Sequence, residues 1–205
     1  MTIEHALTAA TQALRDNVDE LTRLDSITGD GDLGLTAAKV ADAIDDAVTT
    51  GADTTTALLQ LCGRRIAGTA ASSCGTLIAT AFLSASKATG QGSAREQIAA
   101  GLAAAQEGIQ KRGKASAGDR TLLDALAPAA LTAASAPADT SWNEFCSAIS
   151  ASAAAGMQAT TEMPPRIGRA RTQPERARGN PDAGAVLVAV ALAAALAKAT
   201  ETQST

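Results

Sequence analysis

Apolar residues recur along this chain at steps of three, four and seven, and most of them are small. Ile3, Leu7, Leu14, Val18 and Leu21 form one helical stripe over residues 3 to 24. Val40, Ile44 and Val48 form a second within residues 35 to 49. The hydrophobic share is 46% while aromatics are only 1%, so alanine carries the apolar content. Alanine has the best intrinsic helix propensity, and small side chains let helices approach closely. The segments DTTTALLQLCGRRIAG and CGTLIATAFLSASKA read as a third and a fourth helix. Ser93 and Glu96 have capping-box spacing and open a fifth, through about Gln110. TLLDALAPAALTAA is a sixth, expected to break or bend at Pro128. Ser141 and Glu144 cap a seventh, and AGAVLVAVALAAALAKA is the eighth. No run has the alternation of a strand. Short connections favour antiparallel neighbours, so the expected class is all-α.

At 205 residues the whole chain, 1–205, is expected to form a single domain. A net charge of −4 gives no footprint for nucleic acid. Cys62, Cys74 and Cys146 are widely spaced, without a C-x-x-C pair, as in a protein with reduced thiols. The start, MTIEHALTAA, lacks the basic and apolar blocks of a signal peptide, and a cytoplasmic location is expected. The apolar run AGAVLVAVALAAALA is shorter than the roughly 18–20 residues of a membrane span, so it reads as a buried helix and no membrane partner is expected.

Residues 29 to 34 read GDGDLG, which matches the glycine pattern of dinucleotide-binding turns. Such a turn follows a strand, and the preceding segment here is helical. Its aspartates would also repel a pyrophosphate. An EF-hand fails too, because Gly34 and Ala41 stand where ligands are required. Mg²⁺ resolves the conflict, since it takes oxygen ligands from a few carboxylates and from substrate phosphates. Gly29 and Gly31 allow a tight turn that lets Asp30 and Asp32 face one point, with Asp25 completing the cluster. Three carboxylates and a triphosphate carry roughly −7; two Mg²⁺ leave about −3, which invites an arginine. The plain alternative is an Asp/Gly-rich turn with solvated acids.

Three further segments read as site loops. AGTAASSCGT, residues 67 to 76, is a run of small residues that phosphate could approach closely, or a close helix contact. RGKASAGDRTLLDAL, residues 112 to 126, carries Gly113, Gly118 and a Thr121–Asp124 cap, and taken alone it reads as an ordinary capped turn. Residues 161 to 184 hold Pro164, Pro165, Pro174 and Pro181 with five arginines, too long for a plain connection in a small helical domain. Arg169 is its candidate phosphate clamp; a solvated basic loop is the alternative.

Together and in this order, these segments resemble the L subunit, or L domain, of dihydroxyacetone kinases, over nearly the whole chain. The family's L-D-x-x-x-G-D-G-D-x-G loop matches Asp25, Asp30 and Asp32. Its small-residue loop matches Gly68 to Gly75, its G-K-A-x-x-G-D-K-T-M-x-D segment Gly113 to Asp124, and its G-R-A…D-P-G-A segment Gly168 to Ala185. The resemblance implies a barrel of about eight antiparallel helices with ADP or ATP held in the loops at one end. It implies two Mg²⁺ on the three aspartates. Nucleotide contacts then fall on Leu33, Gly34, Leu35, Thr36, Thr69, Ala70, Gly113, Leu122, Arg169, Asp182, Ala183 and Gly184.

The chain departs from the family in places. Ala70-Ala71 stands for a Ser-Gly pair, leaving Thr69 as the hydroxyl near the phosphates. Cys74 stands for an aromatic, Leu35-Thr36 for Thr-Asn, Ala183 for proline, and Arg171-Thr172-Gln173 for Ser-Tyr-Leu.

The family divides its chemistry. The L part holds the Mg-nucleotide, and a separate K subunit holds dihydroxyacetone on a histidine. The only histidine here, His5, lies far along the chain from the acids, so no group to hold that substrate is expected. The implied activity is that of the phosphoryl-donor subunit of a dihydroxyacetone or related short-ketose kinase, inactive without its K subunit. Arg169 would stabilise phosphate charge. The donor is ATP in one branch; in another, bound ADP is re-phosphorylated by a phosphotransferase-system M subunit. The competing class is a non-catalytic nucleotide-sensing partner of a regulator.

Overall fold

A computed structural model describes residues 2–201, and among them the regular structure is entirely helical. The first expected helix is two, α1 (Ile3–Asp16) and α2 (Val18–Thr28). They part at Asn17, whose Nδ2 donates to the Ala13 carbonyl at 2.8 Å and so offers the backbone a substitute for the helical ladder. The remaining long helices fall where the apolar periodicity places them: α3 (Leu33–Thr50), α4 (Thr55–Thr69), α5 (Ser73–Ala88), α6 (Ala94–Gly113), α7 (Leu123–Ser135) and α8 (Trp142–Ala159). After the short α9 (Pro174–Ala177), α10 (Ala183–Glu201) ends the described chain. Both expected capping boxes are formed, at Ser93–Glu96 and Ser141–Glu144.

Of the break or bend expected at Pro128, the break is not found: helix α7 runs on through it. Proline leaves the carbonyl four residues back, that of Asp124, without its helical donor. Gly156 of α8 packs at that point: a Cβ there would lie 2.0 Å from the Asp124 oxygen. Helix α10 is also longer than its apolar run, because it continues past Lys198; at 19 residues it is long and apolar enough to cross a membrane. Here that apolar surface lies against α1, α8, α7, α2 and α3.

Each long helix packs on the next: α1 on α3, then α4, α5, α6, α7, α8 and α10, which returns to α1. The eight-membered ring is closed, with α2 prolonging α1 against α3 and α10. Alanines such as Ala37, Ala41, Ala47, Ala125, Ala129, Ala153 and Ala185 are fully or almost fully buried between helices. In an up-and-down ring, successive connections alternate between two ends. Residues 29–32, 70–72, 114–122 and 160–182 therefore share one end. The connections 51–54, 89–93 and 136–141 share the other with the start of α1 and the finish of α10. That second end is sealed by Phe145, which is buried under the Arg95 guanidinium, and by Trp142, whose Nε1 donates to the Ala199 carbonyl at 3.1 Å.

Candidate functional site

The four segments singled out in the sequence are thus the four connections at one end. They surround a cavity of about 320 Å³ walled by residues of all four, including Asp25, Asp32, Ser72, Leu122, Arg169 and Asp182.

The acid cluster is built by the α2–α3 turn. Asp25 lies one turn before the end of α2, and Gly29 closes that helix by donating to the Asp25 carbonyl at 2.6 Å. Gly31 has φ +75°, in the left-handed region that glycine enters without strain. The reversal brings oxygens of Asp25, Asp30 and Asp32 within 4.8 Å of one another. Opposite ligands of a single Mg²⁺ lie about 4.2 Å apart, so the three carboxylates fit that ion's scale with small adjustments. Asp32 precedes α3 yet spends no side-chain bond on capping it, and Asp25 Oδ2 accepts only a long bond, 3.3 Å, from Leu33 N–H. The cluster is half-buried to exposed, which leaves oxygens free for a cation.

Arg169 opens a 3-10 turn, Arg169–Thr172, and its guanidinium pairs with Asp30. That hydrogen-bonded pair lowers the Asp30 pKa below the usual carboxylate range. It raises that of Arg169, with smaller contributions from Asp32 and Asp25. The arginine expected from charge counting therefore reaches the acids across 139 residues of sequence (169 less 30).

Asp182 begins α10. Its Oδ1 accepts from Ala185 N–H at 2.8 Å, and its own N–H donates to Thr160 Oγ1 at 2.8 Å. Burial pushes its pKa up to about 6, opposed by the Ala185 N–H and by Arg120. Cys74, also in the wall, is pushed up to about 12 by burial and then by Asp182, Asp25 and Asp32. It is a neutral thiol at physiological pH, not a nucleophile.

Of the expected nucleotide contacts, Leu33, Leu122, Arg169, Asp182, Ala183 and Gly184 form cavity wall. Gly34, Leu35, Thr36, Thr69, Ala70 and Gly113 are not among the wall residues, for physical reasons. Gly34 packs on Val18 and Thr22 of α2, where a Cβ would fall 2.0 Å from Thr22 Oγ1. Leu35 faces solvent at 57% exposure. Thr36 is buried, sharing a 3.0 Å hydrogen bond with Ser72. Thr69 is exposed and donates to the Arg65 carbonyl; Ala70 is buried; Gly113 lies against Leu77. The hydroxyl-bearing residues that line the cavity are Thr28, Ser72, Ser73 and Thr121, and Thr69 is not among them. Ser72 caps α5 through Gly75 N–H at 3.0 Å, a cap signal visible in the sequence as Ser72 before an apolar helix. Arg120 is a second wall residue that sequence reasoning passed over.

A family model described as the DAK2 domain matches residues 27–197. The chain belongs to this family. Among relatives of this DAK2 domain is a D-erythrulose kinase of Mycolicibacterium smegmatis, 33% identical over 91% of this chain and 33% of its own length. An L-erythrulose kinase of Pectobacterium atrosepticum is 34% identical over 90% of this chain and 33% of its own length. The chain thus spans about a third of these two kinases. It covers 80% of a third relative, the ADP-binding subunit DhaL of PEP-dependent dihydroxyacetone kinase 2 of Listeria innocua, at 30% identity over 82% of this chain. Among solved structures, the dihydroxyacetone kinase of C. freundii superposes with a TM-score of 0.74 and 27% identity, over 98% of this chain and 34% of that one. That enzyme has also been crystallised with AMP-PNP and Mg²⁺, a form that matches with a TM-score of 0.73.

Proposed function

We propose that this DAK2 domain is the nucleotide-binding, phosphoryl-donating part of a kinase for dihydroxyacetone or another short ketose. One observation carries the reading: three carboxylates and an arginine meet at the rim of a cavity formed by all four connections at one end of the barrel. Asp25, Asp30 and Asp32 would hold Mg²⁺, two ions on charge grounds, and with them the phosphates of ADP or ATP. The bound metal would neutralise phosphoryl charge and polarise the P–O bonds. The aspartates are ligands, not bases. Arg169, now paired with Asp30, supplies the guanidinium that a phosphate would draw into a two-pronged bond. Leu33, Leu77, Leu122 and Ile167 give the cavity an apolar wall that keeps water from the nucleotide.

The acceptor would be held elsewhere. His5 stands at the start of α1, at the end of the barrel opposite the acids. That placement supports a division of labour with a K-type subunit or domain that binds the ketose. Similarity to D- and L-erythrulose kinases favours a four-carbon ketose beside the three-carbon one. Either ATP or ADP recharged by a phosphotransferase-system M subunit would serve as donor.

Calorimetry of ADP and ATP binding, with Mg²⁺ and with EDTA, tests the reading. Binding should depend on the metal, and equal affinity in EDTA would overturn it. Asp32→Asn should abolish phosphoryl transfer in the presence of a K subunit while leaving the helical signal intact. Arg169→Ala should weaken Mg-nucleotide binding roughly ten- to a hundredfold, as loss of a charged hydrogen bond does. Arg178→Ala, at an exposed ion pair with Glu175, should change it little.

A further inference from the structure

Arg120 is a buried charged residue on a strained backbone. It is 6% exposed, and its backbone has φ +64°, a left-handed conformation that costs a non-glycine residue free energy. Its Nη2 donates to two main-chain carbonyls, Ala177 at 2.9 Å and Asn180 at 2.6 Å. Its Nε and Nη1 are buried without a protein partner. A buried guanidinium with two orphaned donors, on a strained backbone, in the wall of a cavity, is a costly arrangement that packing alone does not call for.

Its two partners are informative. Both carbonyls belong to the last stretch of the long connection, just before Asp182 and α10. Elsewhere that connection is held to the barrel by the Arg169–Asp30 ion pair, by the packing of α9 on α2 and by single main-chain bonds. Arg166 N–H donates to the Asp119 carbonyl at 3.2 Å, and Gly179 N–H to the Thr161 carbonyl within the connection itself. Arg120 is thus the side chain that fastens residues 177–180 to the α6–α7 loop.

We propose that Arg120 is a positioning residue that pins the closing segment, residues 177–182, to the α6–α7 loop and so sets where that segment's groups face the cavity. The same guanidinium helps keep Asp182 ionised against burial. The other groups facing Asp182 are Asp124 of α7, which opposes ionisation, and the neutral Cys74 thiol of α5.

The test compares Arg120→Met and Arg120→Lys with wild type and with Arg178→Met, at an exposed position whose side chain pairs with exposed Glu175. Hydrogen exchange of the ligand-free proteins is read first. In Arg120→Met, exchange across residues 177–182 should rise roughly tenfold while α3, α4 and α5 keep wild-type protection. Arg120→Lys should fall between the two, and Arg178→Met should match wild type. The carboxyl of Asp182, followed by NMR with labelled aspartate, should titrate at higher pH in Arg120→Met and near its wild-type position in Arg120→Lys. Unchanged exchange in residues 177–182, or a rise of equal size in every helix, would overturn the proposal. The nucleotide measurement comes second and rests on the proposed function. Mg-ADP affinity should fall roughly tenfold in Arg120→Met. If wild type itself binds no nucleotide, the functional reading fails, while the pin is still decided by the ligand-free exchange.

Discussion

Asp182 shows what a site residue costs the fold. Its pKa is about 6 in the folded protein, against 3.8 for a free side chain, with burial the main cause. Between those values the folded state binds more protons than the unfolded one, so this group's contribution to stability falls as pH rises from about 4 to about 6, and stays low above that. Asp182→Asn keeps an oxygen for the Ala185 N–H and removes the charge. It should therefore be more stable than wild type at pH 7, by on the order of 1–3 kcal/mol, with the difference gone near pH 4. Thermal melts at the two pH values check this, and an equal difference at both would contradict it. The acids of the site were readable in the sequence because a Gly-rich turn fixes its own geometry from adjacent residues, as Asp30, Gly31 and Asp32 do. Arg169 was readable because charge counting asked for a cation. Arg120 was not. Its role depends on carbonyls 57 and 60 residues away, and backbone acceptors leave no mark in a sequence. Thr69 was named from the resemblance, as the hydroxyl beside Ala70-Ala71; the turn at residues 70–72 puts Ser72 and Ser73 in the cavity wall.

Among the helices, what was legible is what periodicity encodes. Eight apolar stripes became the eight members of the ring, and both Ser-x-x-Glu boxes start helices where expected. Breaks were less legible. Asn17 divides the first stripe through a bond to Ala13, which apolar spacing cannot register. Pro128 was expected to break or bend α7; the helix continues, and the carbonyl that the proline strands faces the bare Cα of Gly156 on the next helix. That contact makes Gly156 a packing requirement. Gly156→Ala would place its Cβ 2.0 Å from the Asp124 oxygen and 2.7 Å from Pro128 Cγ. Overpacking of this kind costs about 1–3 kcal/mol, so the melting temperature should drop by roughly 3–10 °C. Gly68→Ala is the control, since its Cβ would meet nothing within 4 Å and alanine is the better helix former. It should melt at or slightly above the wild-type temperature. Similar melting of the two variants would remove the argument for Gly156.

For the molecule as a whole, the alternation of connections decides more than where the cavity is. Helix α1 begins, and α10 finishes, at the end sealed by Trp142 and Phe145. The chain therefore offers any attachment a mooring on the side away from the candidate site. A helix of 19 residues is about 28 Å long, so an appended body starts roughly that far from Asp182. A fully extended linker would need at least about eight residues to cover the distance. Fluorescent-protein fusions at either terminus, on short linkers, should accordingly leave Mg-ADP affinity within about twofold of the unfused protein, measured by calorimetry. The same geometry bears on relatives three times as long, in which this domain is one part. A partner tethered at either end would have to reach along the outside of the barrel before it could meet a nucleotide in the proposed site, and the length of that tether would set how often it arrives.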